Sequence, residues 1–397
     1  MSKKIYELLD KAIDNLKAGG LFKPEFVMSS PQGRHIKIGN KKLLNFGSGD
    51  FLGLANHERI QQAAIKAVQE YGSGMAAPRV ATGTLKIHQD LEEELAKFFD
   101  KEAALIFTSG YAANFGIFES LFTDQDYLFC DIYAHPSIVD GLYKTQAQKM
   151  FYLRNILEDL EDQLKRSPRA RFRMIVAEGV YALDGQLGQL EELCGLAKEY
   201  DALVMLQDSL GVGVLGAGGR GTAEHCGVLD KIDIITGNFG EALSGIDLGY
   251  IVGPKNIINW LKQNSKPYSY SPSPSPMSAA AALEAIKFVS EMKDQRDVLD
   301  VSTQMLRTAL SHMGYTVVKS PHPITAVVTY DAVKTQKLVD ALYEDGYFVL
   351  GLCYPIVPKG FARVRLNVSL SHTEEDLKNL SKAFENQGQA QKILKKN

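Results

Sequence analysis

The 397-residue chain predicts an α/β fold: a mostly parallel sheet in a large domain, followed by a smaller α/β domain. Three observations carry that expectation. From about residue 100, short apolar runs alternate with amphipathic stretches, the pattern of βαβ units whose sheet is covered on both faces. The alternation pauses at the Pro-rich "SYSPSPSPM" (Ser269 to Met277) and a long helical stretch. A second, shorter set of apolar runs then fills the C-terminal part.

The elements follow in order. "MSKKIYELLDKAIDNLKAGG" puts Ile5, Leu8, Leu9, Ile13 and Leu16 on one helical face and stops at Gly19-Gly20. It carries acids and lacks an apolar core, so it reads as neither a signal nor a transit peptide. "AALIF" (Ala103–Phe107) precedes a helical pattern after Gly110, and "YLFC" precedes "PSIVDGLYK". "KMFYL" precedes "ILEDLEDQLK", "FRMIVAE" precedes "LEELCGLAKEY", and "ALVMLQ" leads into "GVGVLGAGGRG". "IDIITG" and "GYIVG" complete the large sheet. "MSAAAALEAIKFVSEMKDQRDVLDVSTQMLRTAL" is a long helix or a helix pair. The runs from "YTVV" through "ITAVVTY", "YFVLGL" and "ARVRLNVS" to "TEEDLKNLSKAF" form the smaller domain. The expected division is an N-terminal helix and arm over 1–45, a large domain over 46–285 and a small domain over 286–397.

Composition narrows the function classes. Apolar residues make up 45% and charged residues 23%, an ordinary soluble balance. A formal net charge of −3 argues against nucleic acid and anionic membrane surfaces. No apolar run reaches the ~20 residues of a spanning helix. Cys130, Cys194, Cys226 and Cys353 are scattered without a C-x-x-C pair. A disulfide framework and a metal site are therefore not expected, and a reducing cytoplasm is.

Ligands in parallel sheets gather at the carboxyl ends of strands. Those ends carry Ser109-Gly110, Asp131, Glu178, Gln207-Asp208 and Gly237-Asn238. "FTSGYAANFG" places Ser109, Gly110 and Tyr111 at a strand–helix junction, where free N–H groups and the helix dipole suit a phosphate. Any tight turn between a strand and a helix can look the same. His135 follows a strand end, a position open to a ligand contact or to a satisfied core residue. Arg363 and Arg365 alternate on one strand and so share a face, as a carboxylate clamp or an ion-paired surface. "GVGVLG" (Gly211 to Gly216) matches G-x-G-x-x-G, but "AGGRG" follows where a dinucleotide site needs a helix. It reads as a mobile glycine loop.

These segments together resemble the α-oxoamine synthase family of pyridoxal-phosphate (PLP) enzymes, with its 2-amino-3-ketobutyrate CoA ligase branch nearest. The likeness runs through "LLNFGSGDFLGLANH", "YGSGMAAPRVATGTLKIHQDLEEELAKFF", "EGVYALDG", "GGRGTAEHCGVLDKIDIITG" and "CYPIVPKGFARVRLNVSLSHTEEDL". It implies a fold-type I PLP-transferase-like architecture and a homodimer. It implies that Ser109, Gly110 and Tyr111 form the phosphate turn, that His135 stacks on the ring, and that Arg365 grips a substrate carboxylate.

Other positions depart from the family pattern. Asp-x-x-His appears as "QDSL", with Gln207 and Leu210, and Thr-x-x-Lys appears as "NFGE", with Asn238 and Glu241. A glutamine does not hold a pyridinium charge and a glutamate forms no imine. The expectation is therefore a lost PLP site and no covalently bound cofactor.

The function expected is that of a divergent acyltransferase joining an acyl thioester, on CoA or an acyl carrier protein, to an amino-acid-like or carboxylate substrate. His135, Glu241 and Asp208 are its candidate acid–base groups, with Arg365, Asn238, Gln207 and Ser209 binding substrate. The alternative is an inactive pseudoenzyme serving a catalytic partner subunit. A PLP-dependent glycine C-acetyltransferase is the remaining reading.

Overall fold

The computed structural model describes residues 3–18, 22, 25–167 and 169–394. Its centre is a seven-stranded sheet. The strand order is Ala103–Phe107, Gly249–Gly253, Ile234–Asn238, Ala202–Gln207, Arg173–Glu178, Tyr127–Asp131, Gln148–Tyr152. Gly249–Gly253 is antiparallel to both neighbours; the other pairs are parallel.

The apolar runs are continuous because both faces of the sheet are buried. Phe129, Ile175, Ala177, Val204, Leu206 and Ile235 pack into one core. Their chain neighbours Leu128, Cys130, Met174, Val176, Met205 and Ile234 pack into a second core on the opposite face. Each fully buried branched side chain contributes about 1.5–3 kcal/mol. This two-sided burial fixes the register and holds the strand ends level.

The long helical stretch is a pair, Pro276–Glu291 and Lys293–His312, broken at Met292. Alanines at 279, 280, 281, 282 and 285 let the first helix lie close on Glu58–Tyr71 and Lys86–Phe98. The small C-terminal sheet is antiparallel, in the order Thr316–Val317, Ile324–Tyr330, Ala362–Asn367, Leu350–Leu352. An N-terminal hairpin, His35–Ile38 with Lys41–Asn45, joins Tyr347–Phe348 in a further sheet, so the arm is stitched to the end of the chain. Arg34 seals this join through a bidentate pair with Asp376 at 2.7 and 2.9 Å.

The first helix spans Lys3–Ala18, and its apolar face is exposed. The expected stop at Gly19-Gly20 lies outside the described residues. The glycine loop after Gln207 is packed rather than mobile: Val212, Val214 and Leu215 are buried, and Val212 bridges to Arg220. Its glycines make room for Asp208. A Cβ at Gly211 or Gly221 would lie 2.2 Å from an Asp208 carboxylate oxygen.

Candidate active site

At the end of Ala103–Phe107 the chain turns into the 12-residue Gly110–Leu121 helix. Ser109 is its N-cap, the Oγ accepting from the Ala112 N–H at 3.1 Å. The N–H groups of Gly110 and Tyr111 have no intrahelical acceptor. Two glycines bring other strands against this turn. A Cβ on Gly249 would sit 2.3 Å from the Ser109 carbonyl and 2.4 Å from the Gly110 nitrogen. One on Gly110 would sit 2.9 Å from the Asn238 Cβ. The turn, Asn238 and Gly249 are therefore in direct contact.

Beside the turn, the Asn238 Nδ2 donates to the Ser209 Oγ at 2.9 Å, and the Gln207 Nε2 donates to the same oxygen at 2.7 Å. These three residues, foreseen as binding groups, do form one neutral polar cluster.

His135 ends the turn after Tyr127–Asp131 and caps the Pro136–Leu142 helix. Its Nδ1 accepts from the Ser137 N–H at 3.2 Å, so the neutral ring carries its proton on Nε2. Burial lowers its pKa and keeps it neutral. Its main-chain N–H donates to the Glu178 Oε1 at 2.6 Å. Burial pushes the Glu178 carboxyl well above the ordinary range, and Asp131, Asp208 and Glu241 nearby raise it further.

Asp208 does not face the site, contrary to its expected catalytic part. Its carboxylate accepts from the Thr222 N–H at 2.6 Å and the Thr222 hydroxyl at 2.7 Å, enclosed by glycines. Burial pushes it up to about 6, even against the Thr222 and Gly211 donors that lower it. It anchors the turn that carries Ser209.

Glu241 is half-buried, its Cβ 3.2 Å from where a Gly49 Cβ would stand. Burial raises its pKa and the Arg365 guanidinium lowers it; burial in turn lowers that of Arg365 and Glu241 raises it. The two charges attract, yet among the described residues no ion pair within 4.0 Å joins them. Among the described residues Glu241 makes no hydrogen bond to Asn238, His135 or Ser209.

Arg365 lies on Ala362–Asn367 with its Nη1 donating to the Ala182 carbonyl at 2.8 Å; its Nε is buried without a partner. Arg363, on the same face, bonds Asp184 at 3.1 Å, and Arg154 reaches Asp184 at 3.0 Å and lies 3.7 Å over the Tyr181 ring. Arg154, Asp184 and Arg363 border a cleft of about 430 Å³ that Ile132, Tyr133, Leu153 and Val357 also line. Sequence reasoning missed Arg154 and Asp184. The only signal for Asp184 was its place in "EGVYALDG", and Arg154 carried none.

The aminotransferase class I and II family model matches residues 41–384. The 2-amino-3-ketobutyrate coenzyme A ligase of Escherichia coli K12 is 37% identical over 387 residues, covering 97% of both chains. The 8-amino-7-oxononanoate synthase of Petrotoga mobilis is 39% identical, covering 97% of this chain and 98% of that one. A solved lysine-to-alanine variant of serine palmitoyltransferase from S. paucimobilis, with bound PLP–myriocin aldimine, superposes with a TM-score of 0.92 at 26% identity. That match covers 99% of each chain.

The expected loss of the PLP site is corrected by these relatives, since this fold is one that holds PLP. The physical reason lies in which contacts the substitutions touch. Gln207, Leu210, Asn238 and Glu241 alter side chains, whereas the helix N-terminus at Gly110 offers backbone N–H groups and the Ser109 cap, which are intact. No helix among the described residues is long and apolar enough to cross a membrane. The chain belongs to the aminotransferase class I and II family and, within it, to the α-oxoamine synthases.

Proposed function

We propose that this chain is an acyltransferase of the α-oxoamine synthase kind, joining an acyl thioester to an amino acid, and that it works as a homodimer with PLP at the strand ends. The observation that carries this reading is the polarity of the site. Helix N–H donors stand at one end, and a half-buried guanidinium with a buried, unpartnered Nε stands at the other.

In this reading Ser109, Gly110 and Tyr111 hold the phosphate, His135 covers the ring, and the Gln207 amide donates to the ring nitrogen. Bound there, PLP supplies an electron sink for a carbanion next to the amino group. The residues of this chain do the rest. Arg365 holds the amino-acid carboxylate by a charge-assisted hydrogen bond. His135, with its proton on Nε2, donates rather than accepts, which leaves the Glu241 carboxylate as the general base. The raised pKa of Glu241 suits that part. The adjoining cleft, with apolar walls and the Arg154–Asp184–Arg363 network, suits the approach of the thioester.

The test is thiol release from acetyl-CoA and longer acyl-CoA, with PLP and a panel of small amino acids. Release that depends on the amino acid is expected. A second reading, a non-catalytic partner subunit, is favoured by Gln207 and Glu241, neither of which has the charge of its family counterpart. Cofactor binding without thiol release from any pair would select it.

A further inference from the structure

We infer that Ser137 and Asn114 are positioning residues that fix His135 as a hydrogen-bond donor at Nε2. This rests on the reading of His135 as the group that covers the cofactor ring and donates there. It goes further, to two buried residues behind the ring.

One main-chain group sets the direction of a whole series of hydrogen bonds. The Ser137 N–H donates to the His135 Nδ1 at 3.2 Å, so that nitrogen offers a lone pair. The Ser137 Oγ lies 2.7 Å from the same nitrogen, and towards a lone pair the hydroxyl has to donate. With its proton committed, Oγ keeps only lone pairs, and it accepts from the Asn114 Nδ2 at 2.9 Å. The donors therefore run one way, from the Asn114 amide through the Ser137 hydroxyl to Nδ1. The proton of the neutral ring is left on Nε2.

Burial follows the same order. Asn114 and Ser137 are buried, whereas His135 is accessible, so the ring is held from behind and Nε2 remains for a ligand. Gly141 brings the two helices together. A Cβ there would lie 2.7 Å from the Phe118 ring and 3.4 Å from the Phe115 Cα, so Pro136–Leu142 packs close on Gly110–Leu121. The His135 main chain is held separately, by its N–H on the Glu178 Oε1 at 2.6 Å. The Asn114 Oδ1 is buried without a partner. Turning that amide over would give the oxygen the Ser137 proton, but it would then set the hydroxyl lone pairs against the lone pair of Nδ1. The unpartnered oxygen is thus the counterpart of a fixed ring, since a buried acceptor left unpaired is unfavourable in itself.

The experiment is nitrogen NMR of the full chain carrying isotope-labelled histidine, near neutral pH, with His135→Gln to assign the His135 signals. The parent is expected to show a neutral ring with its proton on Nε2 and a hydrogen-bonded Nδ1. In Ser137→Ala the Nδ1 resonance is expected to move towards that of a free nitrogen. Asn114→Leu, close in shape, is expected to move it the same way by less, and to add nothing in the double variant, because Asn114 acts through the hydroxyl. With PLP present, each single variant is expected to bind glycine or serine about three- to tenfold more weakly, the worth of one neutral hydrogen bond. Thermal melting confirms that the variants fold. A proton on Nδ1 in the parent, an Asn114→Leu effect that persists in full beside Ser137→Ala, or amino-acid affinity unchanged in both single variants overturns the inference. Failure of the parent to bind either amino acid overturns the functional reading of the site, and the ring resonances then decide the inference by themselves.

Discussion

An Arg365→Ala variant is expected to bind an amino-acid or carboxylate ligand about 10–100-fold more weakly, with its melting temperature nearly unchanged. The guanidinium makes one structural hydrogen bond, to the Ala182 carbonyl. Losing it costs about 1 kcal/mol at most, because that carbonyl can be reached by water once the side chain is gone. The ligand loses more. A charge-assisted contact to a carboxylate contributes about 1.5–3 kcal/mol, which is the stated range of affinity. Removal of the positive charge also raises the pKa of Glu241 further, since Arg365 is what pulls it down. Titration of glycine or serine with cofactor present, alongside a melt, checks this. Unchanged ligand affinity would show that Arg365 faces no substrate.

Gly249→Ala is expected to do the reverse, harming the fold and the phosphate turn together. The added methyl would meet the Ser109 carbonyl and the Gly110 nitrogen, both backbone atoms of the turn. No side-chain rotation relieves that clash, so either the turn or the start of Gly249–Gly253 must move. Overpacking of this kind costs about 3 kcal/mol, the upper part of the usual range. Cofactor affinity should fall with it, because the displaced groups are the proposed phosphate donors. Denaturant unfolding and cofactor titration read the two effects. Parent-like values in both would mean that the strand end and the turn are not rigidly coupled.

Much of this arrangement was legible in the sequence. The buried strands were, because a strand covered on both faces needs an unbroken apolar run, as in "RMIVAE" and "ALVMLQ". So were their carboxyl ends, which placed Ser109, His135, Gln207 and Asn238 in one region. The antiparallel course of Gly249–Gly253 was not, since apolar content carries no direction. Nor was the hairpin at His35–Asn45, whose partner Tyr347–Phe348 lies some 300 residues away in sequence. The G-x-G-x-x-G stretch was legible as something other than a dinucleotide site, but its reason, the cradle around Asp208, exists only in three dimensions. The same holds for Glu241 and Arg365. Each was visible alone, while their opposition depends on the small domain closing over the large one. The cofactor reading failed for a related reason. It let the altered side chains at 207, 210, 238 and 241 outweigh the backbone donors at Gly110 and Tyr111, whose function survives substitution.

The central claim is that the strand ends form a working pocket, polarised from the Gly110 turn to Arg365. Its most direct test is a crystal structure of the chain grown with cofactor and glycine. The account predicts the cofactor phosphate on the Ser109–Gly110–Tyr111 backbone, His135 over the ring and a carboxylate on Arg365. A cofactor bound elsewhere, or a pocket empty at saturating ligand, would contradict it.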